Sequence, residues 1–212
     1  MNTVKFNVPM NPYDDDAKLF ARSAVEINSG LTVLVGCNGS GKSTLLGLIR
    51  SQVAERPAAL VVEYNDRTSG GTNRIGELIF RGDIEHAAGM MCSSEGERIH
   101  QSAGILFSRL GHDIRQRRPK EVWVLMDAVS SGLSIDNAVE IKDFVEFVQA
   151  EEPGIDFYFI VSTNEYEFAA GANCIDVTTF RHKTFKTYAA YRKFILATRE
   201  KKNRRYKQAM SE

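Results

Sequence analysis

The chain has 212 residues, 43% hydrophobic and 25% charged, with a formal net charge of zero. That length supports one sizeable core with room for a small insertion, and no apolar run approaches the roughly 20 residues of a membrane helix. Three cysteines (Cys37, Cys92, Cys174) are odd in number and far apart, which argues against a disulfide framework and for a reducing cytoplasm. The four histidines show no ligand spacing, and MNTVKFNVPMNPYDDD lacks the basic-then-apolar order of a signal peptide. Charge is uneven. From Arg181 to Lys207 eleven Lys and Arg face one acid, Glu200, a local +10 that the remainder must balance.

In chain order, VKFNV (4–8) and AVEI (24–27) alternate apolar and polar residues and are expected to form a peripheral antiparallel pair. Leu31–Val35, Val122–Met126 and Phe157–Val161 are apolar on both faces, as parallel strands under helices require, and Ala59–Val62 reads as a fourth. CIDV (174–177) is a further short strand. Helices are expected at about 42–55, 95–116, 135–150 and 186–206. The stretch YNDRTSGGTNR (64–74) is loop-like. The expectation is one α/β domain over 1–212, a mainly parallel sheet covered by helices, with about 64–92 as a small lid and 186–212 as a C-terminal helix with a basic end.

GCNGSGKST, residues 36–44, matches G-x-x-x-x-G-K-[ST] between a buried strand and a helix. Gly36, Gly39 and Gly41 permit backbone angles that turn successive N–H groups inward, so that the amides of Cys37, Asn38, Ser40 and their neighbours, with the helix N-terminus, face a polyphosphate. In such a loop Lys42 supplies a point charge between β- and γ-phosphates, Ser43 is a magnesium ligand, and Thr44 follows it into the helix. A chance glycine turn would not come with strand, loop and helix in that order. Downstream, VWVLMD delivers Asp127 to the end of a buried strand, where it can hold magnesium, usually through water.

Asn38 and the GSGKST ending resemble the ABC-type ATPases, more closely the heads of chromosome-maintenance and recombination-repair ATPases. The resemblance implies a P-loop NTPase fold, ATP and Mg2+ as ligands, and an ATP-dependent face-to-face homodimer. It extends to SSEGER (93–98), which resembles the signature of that superfamily with Ser94, Gly96 and Glu97 at its helix start. In the family this helix start contacts the γ-phosphate held by the opposite protomer. Ser94-x-x-Glu97 is equally a capping box, and both roles can hold at once. SSGLS (130–134), with Ser131, resembles the family's "SGLD" turn at the dimer interface, and FIVSTNEYE (159–167) its last strand and switch, with Asn164 where a histidine is customary. Small uncharacterised ATP-binding proteins of bacteria and phages are also similar, sharing a "DA…SGLS" turn and an "STNEYE" switch.

Three departures stand out. Ser94 to Asp127 spans 33 positions, longer than in a transporter ATPase; no glutamine loop is identifiable; and the family's general base and switch histidine are both replaced, by Ala128 and Asn164. Alanine neither orients nor deprotonates water, so slow hydrolysis is expected, with Glu165, or Glu97 of an opposite protomer, as substitute base. Tyr13 or Phe20 could stack on a base, and Phe20 also suits the core. Phe185, Tyr188, Tyr191 and Phe194/Ile195 form a helical stripe that packs on the sheet, and Arg199–Lys207 either is a solvated helix end or meets nucleic acid or an acidic protein. The rival readings are a non-hydrolysing ATP sensor, a small-molecule kinase with 64–92 as its lid, and a transporter-coupling subunit, which the missing glutamine loop disfavours.

Overall fold

Strict alternation between two apolar faces organises the molecule. In β3 (Gly30–Val35), Val33 and Val35 lie in one core and Leu34 in the other. The same alternation runs through β5 (Glu121–Asp127), where Val122, Val124 and Met126 oppose Trp123 and Leu125. It recurs in β6 (Asp156–Ser162), with Phe157, Phe159 and Val161 against Tyr158 and Ile160. Strands apolar on both sides must be covered on both sides, which is the requirement of a sheet between two helical layers.

A computed structural model describes residues 2–13, 18–65, 108, 110–127, 135–152 and 154–209. Among these, β1 (Thr3–Asn7) and β2 (Ala24–Asn28) form a separate antiparallel pair, as expected from their alternation. The main sheet adds β4 (Ala59–Asn65), β7 (Asn173–Asp176) and β8 (Arg181–Lys183) in the order β4-β5-β6-β3-β7-β8. All its pairings are parallel except the last, β7 with β8. The helices are α1 (Lys42–Ala54), α2 (110–117), α3 (Ile135–Glu151), the single turn α4 (Tyr166–Ala169) and α5 (Tyr188–Ala209).

One core lies under α1 and the β1–β2 pair. There Phe6 meets Trp123 edge-on at 5.4 Å, and Trp123 stacks on Tyr158 at 3.9 Å. The other lies under α2, α3, α4 and the start of α5, with Leu110, Ile114, Ile141, Val145, Phe168 and Tyr191. The expected aromatic stripe packs in part: Tyr191 in α5 is buried and in ring contact at 5.2 Å with the buried Phe185, which precedes the helix, while Tyr188 stays exposed at the rim. Arg56 pairs with Glu121 through two bonds of 3.0 and 2.6 Å, and Glu121 also accepts from Trp123 Nε1 at 3.0 Å. That arrangement ties the loop after α1 to the start of β5.

Two differences from the sequence expectation have simple causes. Strand β4 runs to Asn65, past the expected Val62, because Tyr64 is buried in the second core and the pairing with β5 continues to Asn65↔Asp127. Strand β8 is short and mostly exposed, and so carries no apolar run to announce it. The expected helix 95–116 is described only from residue 108 on, and the lid lies, after Asn65, outside the described residues.

Candidate functional site

Strands β3, β5 and β6 are mutually parallel and in register, with Leu34 opposite Ser162 and Met126 opposite Val161. Their carboxyl ends therefore deliver the segment from Gly36, Asp127 and the segment from Thr163 to one edge of the sheet. That edge is where open α/β folds bind ligands.

The loop from β3 to α1 is shaped by its glycines. Gly39 and Gly41 have φ of 71° and 97°, a region that side-chain-bearing residues rarely adopt. At Gly36 a Cβ would stand 2.5 Å from Ser40 Oγ, so only hydrogen fits. Ser40 N–H donates to Cys37 O at 3.1 Å and closes the turn. Helix α1 begins at Lys42 with no side-chain cap and no acid in its first turn. Its own first turn therefore supplies neither a capping acceptor nor a carboxylate to its N-terminal amides, a state that favours an anion.

Lys42 lies along this loop, donating from Nζ to Gly36 O at 2.9 Å, Cys37 O at 3.3 Å and Asn164 Oδ1 at 2.9 Å. Burial pushes its ammonium below the ordinary lysine range; Cys37 and Asp127 offset part of that, and Lys202 adds to it. Asn164 Nδ2 in turn donates to Asn38 Oδ1 at 2.5 Å, so one amide joins the switch position to both the loop and its lysine. Ser43 Oγ donates to Asp127 Oδ1 at 3.0 Å. A hydroxyl and a carboxylate at the mouth of an anion loop form the hard oxygen donor pair that, with phosphate oxygens and water, suits Mg2+. Thr44 Oγ1 shares a hydrogen bond with the Tyr13 hydroxyl, and the Tyr13 ring is exposed beside the loop. Phe20 is fully buried against Phe180.

The structure thus brings Gly36, Cys37, Asn38, Gly39, Ser40, Gly41, Lys42, Ser43, Thr44, Asp127 and Asn164 to one place. Glu165 follows Asn164 but is exposed, with its N–H donating to Thr163 Oγ1 at 3.0 Å; its carboxylate is one of the charges that, after burial itself, raise the buried Tyr191 phenol. Ser94, Gly96, Glu97, Ala128 and Ser131 lie outside the described residues. Two further contacts were not anticipated. Thr198 and Lys202 of α5 bond the loop at Cys37 N–H and Asn38 O. Their i, i+4 spacing places them on one helix face, but within a basic run nothing in the sequence distinguishes Lys202 from its neighbours.

No helix among the described residues is long and apolar enough to cross a membrane. No family model matches the chain, and no curated protein does. Among solved structures the chain is similar to the nucleotide-free ATP-binding cassette of an ABC transporter, with 15% identity and a TM-score of 0.52 over 92% of this chain and 94% of that one. The protein has an ABC-ATPase-like P-loop fold, a mainly parallel sheet with a small antiparallel sheet beside it.

Proposed function

We propose that the protein binds ATP with Mg2+ in this loop, that the bound nucleotide draws two copies together face to face, and that hydrolysis is slow. The observation that carries the nucleotide assignment is the convergence of three groups. They are the glycine-shaped loop with Lys42 along it, the Ser43–Asp127 pair at 3.0 Å, and Asn164 bridging Lys42 and Asn38. The likeness to an ATP-binding cassette supports the same reading at the level of fold.

In this reading the β- and γ-phosphates are held by the α1 N-terminus and by the loop amides other than those of Cys37 and Ser40, which donate to Thr198 Oγ1 and Cys37 O instead of facing the polyphosphate as expected, and Lys42 places its charge between the phosphates. Ser43 and Asp127 would hold Mg2+, which when bound neutralises charge developing on the phosphates. Asn164 stands where it can donate an amide N–H toward the γ-phosphate and keep Lys42 in place. Tyr13, exposed beside Thr44, offers a ring face for the adenine. Ser94, Gly96, Glu97 and Ser131 would meet the nucleotide across the dimer. With Ala128 in the position of the usual glutamate, water lacks its normal base, a loss worth about 10²–10⁴-fold in rate. Glu165 is the carboxylate next in line. A cytoplasmic location fits an ATP-dependent cycle, and the basic end of α5 is offered to nucleic acid or an acidic protein.

The test is the mass in solution with ATP and Mg2+ against the nucleotide-free protein, measured alongside phosphate release. The expected result is a dimer with ATP, phosphate release slow enough to keep it, and loss of both in Lys42→Ala. A monomer in ATP refutes the dimer, and fast release untouched by Glu165→Ala refutes the account of Ala128. The second reading, an ATP sensor with no turnover, is favoured by the same alanine and would show the dimer with no phosphate release.

A further inference from the structure

Helix α5 touches the phosphate loop at two positions one turn apart. Thr198, 7% exposed, donates its hydroxyl hydrogen to Ile195 O at 2.7 Å and accepts the Cys37 N–H at 3.2 Å. Lys202 Nζ donates to Asn38 O at 2.8 Å and stands 2.8 Å from the position a Cβ on Gly39 would take. Between helix and loop lies a cavity of about 190 Å³ lined by Cys37, Gly39, Ser40, Thr198 and Lys202 among others, so these bonds are the bridges across a partly open seam.

A trans peptide is planar, with its C=O and N–H pointing in opposite directions. The Gly36–Cys37 peptide shows this: its carbonyl is held by Lys42 and its N–H by Thr198. In the Asn38–Gly39 peptide the carbonyl is held by Lys202, which turns the Gly39 N–H the other way, away from α5. Within the turn that Ser40 N–H closes on Cys37 O, Gly39, at φ 71°, has no side chain to prevent the central peptide from flipping, so the bond from Lys202 selects its orientation. Lys202 also adds positive charge, which works against the Lys42 ammonium behind the larger effect of burial; an anion in the cradle relieves that repulsion.

The geometry points to Lys202 and Thr198 as positioning residues of the phosphate cradle: from the C-terminal helix they set the peptide planes at Asn38–Gly39 and Gly36–Cys37 so that the Gly39 amide is aimed at the bound polyphosphate. This rests on the reading of the loop as an ATP site and extends that site to an element outside its sequence motifs.

The experiment measures ATP affinity by calorimetry at two salt concentrations, and the Gly39 amide chemical shift by NMR in the nucleotide-free state. The proteins are the wild type, Lys202→Met, Lys202→Arg, Thr198→Val and Lys42→Ala. Lys202→Met keeps the aliphatic stem. It is expected to weaken ATP binding about tenfold, to lower its salt dependence and to shift the Gly39 amide resonance as the peptide plane is released, with an unchanged melting midpoint. Lys202→Arg restores most of the affinity, and Thr198→Val weakens binding less, since it removes one neutral acceptor. ATP binding by Lys202→Met equal to wild type, while Lys42→Ala abolishes it, overturns the inference and leaves the site intact. A wild type that takes up no ATP overturns the nucleotide reading itself, and this inference with it.

Discussion

Two glycines of the same segment provide a sharp test, because alanine should act on them with opposite sign. Gly41 precedes α1 at φ 97°, a conformation that costs an L-residue about 1–2 kcal/mol. Its added Cβ would meet Leu19 Cδ2 at 2.9 Å and Phe20 Cε1 at 3.0 Å. Phe20 has no exposed surface and packs on Phe180 at 5.1 Å, so the ring cannot simply swing aside. Overpacking of that kind adds about 1–3 kcal/mol. A central total of about 3 kcal/mol, at roughly 2–4 °C per kcal/mol for a chain of this size, lowers the melting midpoint by about 6–12 °C. Gly47 lies in the interior of α1, and a Cβ there would meet nothing within 4 Å. Gly47→Ala therefore gains the helix preference of alanine, about 1 kcal/mol, and raises the midpoint by about 2–4 °C. Thermal and urea unfolding of the two variants, with ATP binding by the folded fraction, make the assay. Gly41→Ala is further expected to lose ATP, since strain at the start of α1 re-aims the loop. Equal midpoints for the two variants, or a Gly41→Ala protein as stable as wild type, would refute this account of the loop.

The sequence was most readable where a single local pattern sufficed. Apolar runs such as Phe157–Val161 marked the buried strands because burial on both faces leaves no polar position. The loop 36–44 was legible because its tight, positive-φ turns need glycine at fixed places, and Asp127 because it ends a buried strand. What could not be read was anything set by distance across the fold. Asn164 was noted for the residue it replaces, but its bonds to Lys42 and Asn38 exist only because β6 lies beside β3 in the sheet. Thr198 and Lys202 sit more than 160 positions from the loop they brace, and their composition resembles any basic helix end. Strand β8 and the single turn α4 failed for a different reason: three or four residues carry too little periodicity to detect.

Two further outcomes follow from side-chain contacts made across the fold. The guanidinium of Arg56 holds the Glu121 carboxyl below the ordinary carboxylate range, ahead of an opposing burial effect, so its contribution to stability is full above that range and is lost as pH falls through the lowered value. Glu121→Gln should cost about 1 kcal/mol at neutral pH and progressively less in acid, followed by urea unfolding; a gap that stays constant with pH would contradict the pairing. At the switch, Asn164→Ala and Asn164→Asp separate holding the lysine from holding the nucleotide. The asparagine accepts from Lys42 with its oxygen and presents its nitrogen to Asn38. Alanine loses both contacts and should weaken ATP binding up to about tenfold. Aspartate keeps the acceptor as a carboxylate beside a partly desolvated ammonium and sets a second oxygen against Asn38 Oδ1, so with the Asn38 amide turned to donate its Nδ2 the nucleotide-free protein should melt at or above the wild-type temperature. Yet in the proposed site the same carboxylate would face the γ-phosphate, where like charges repel, and ATP should bind more weakly to it than to the alanine variant. An aspartate variant that binds ATP as well as the alanine variant would place the γ-phosphate elsewhere and remove Asn164 from the site.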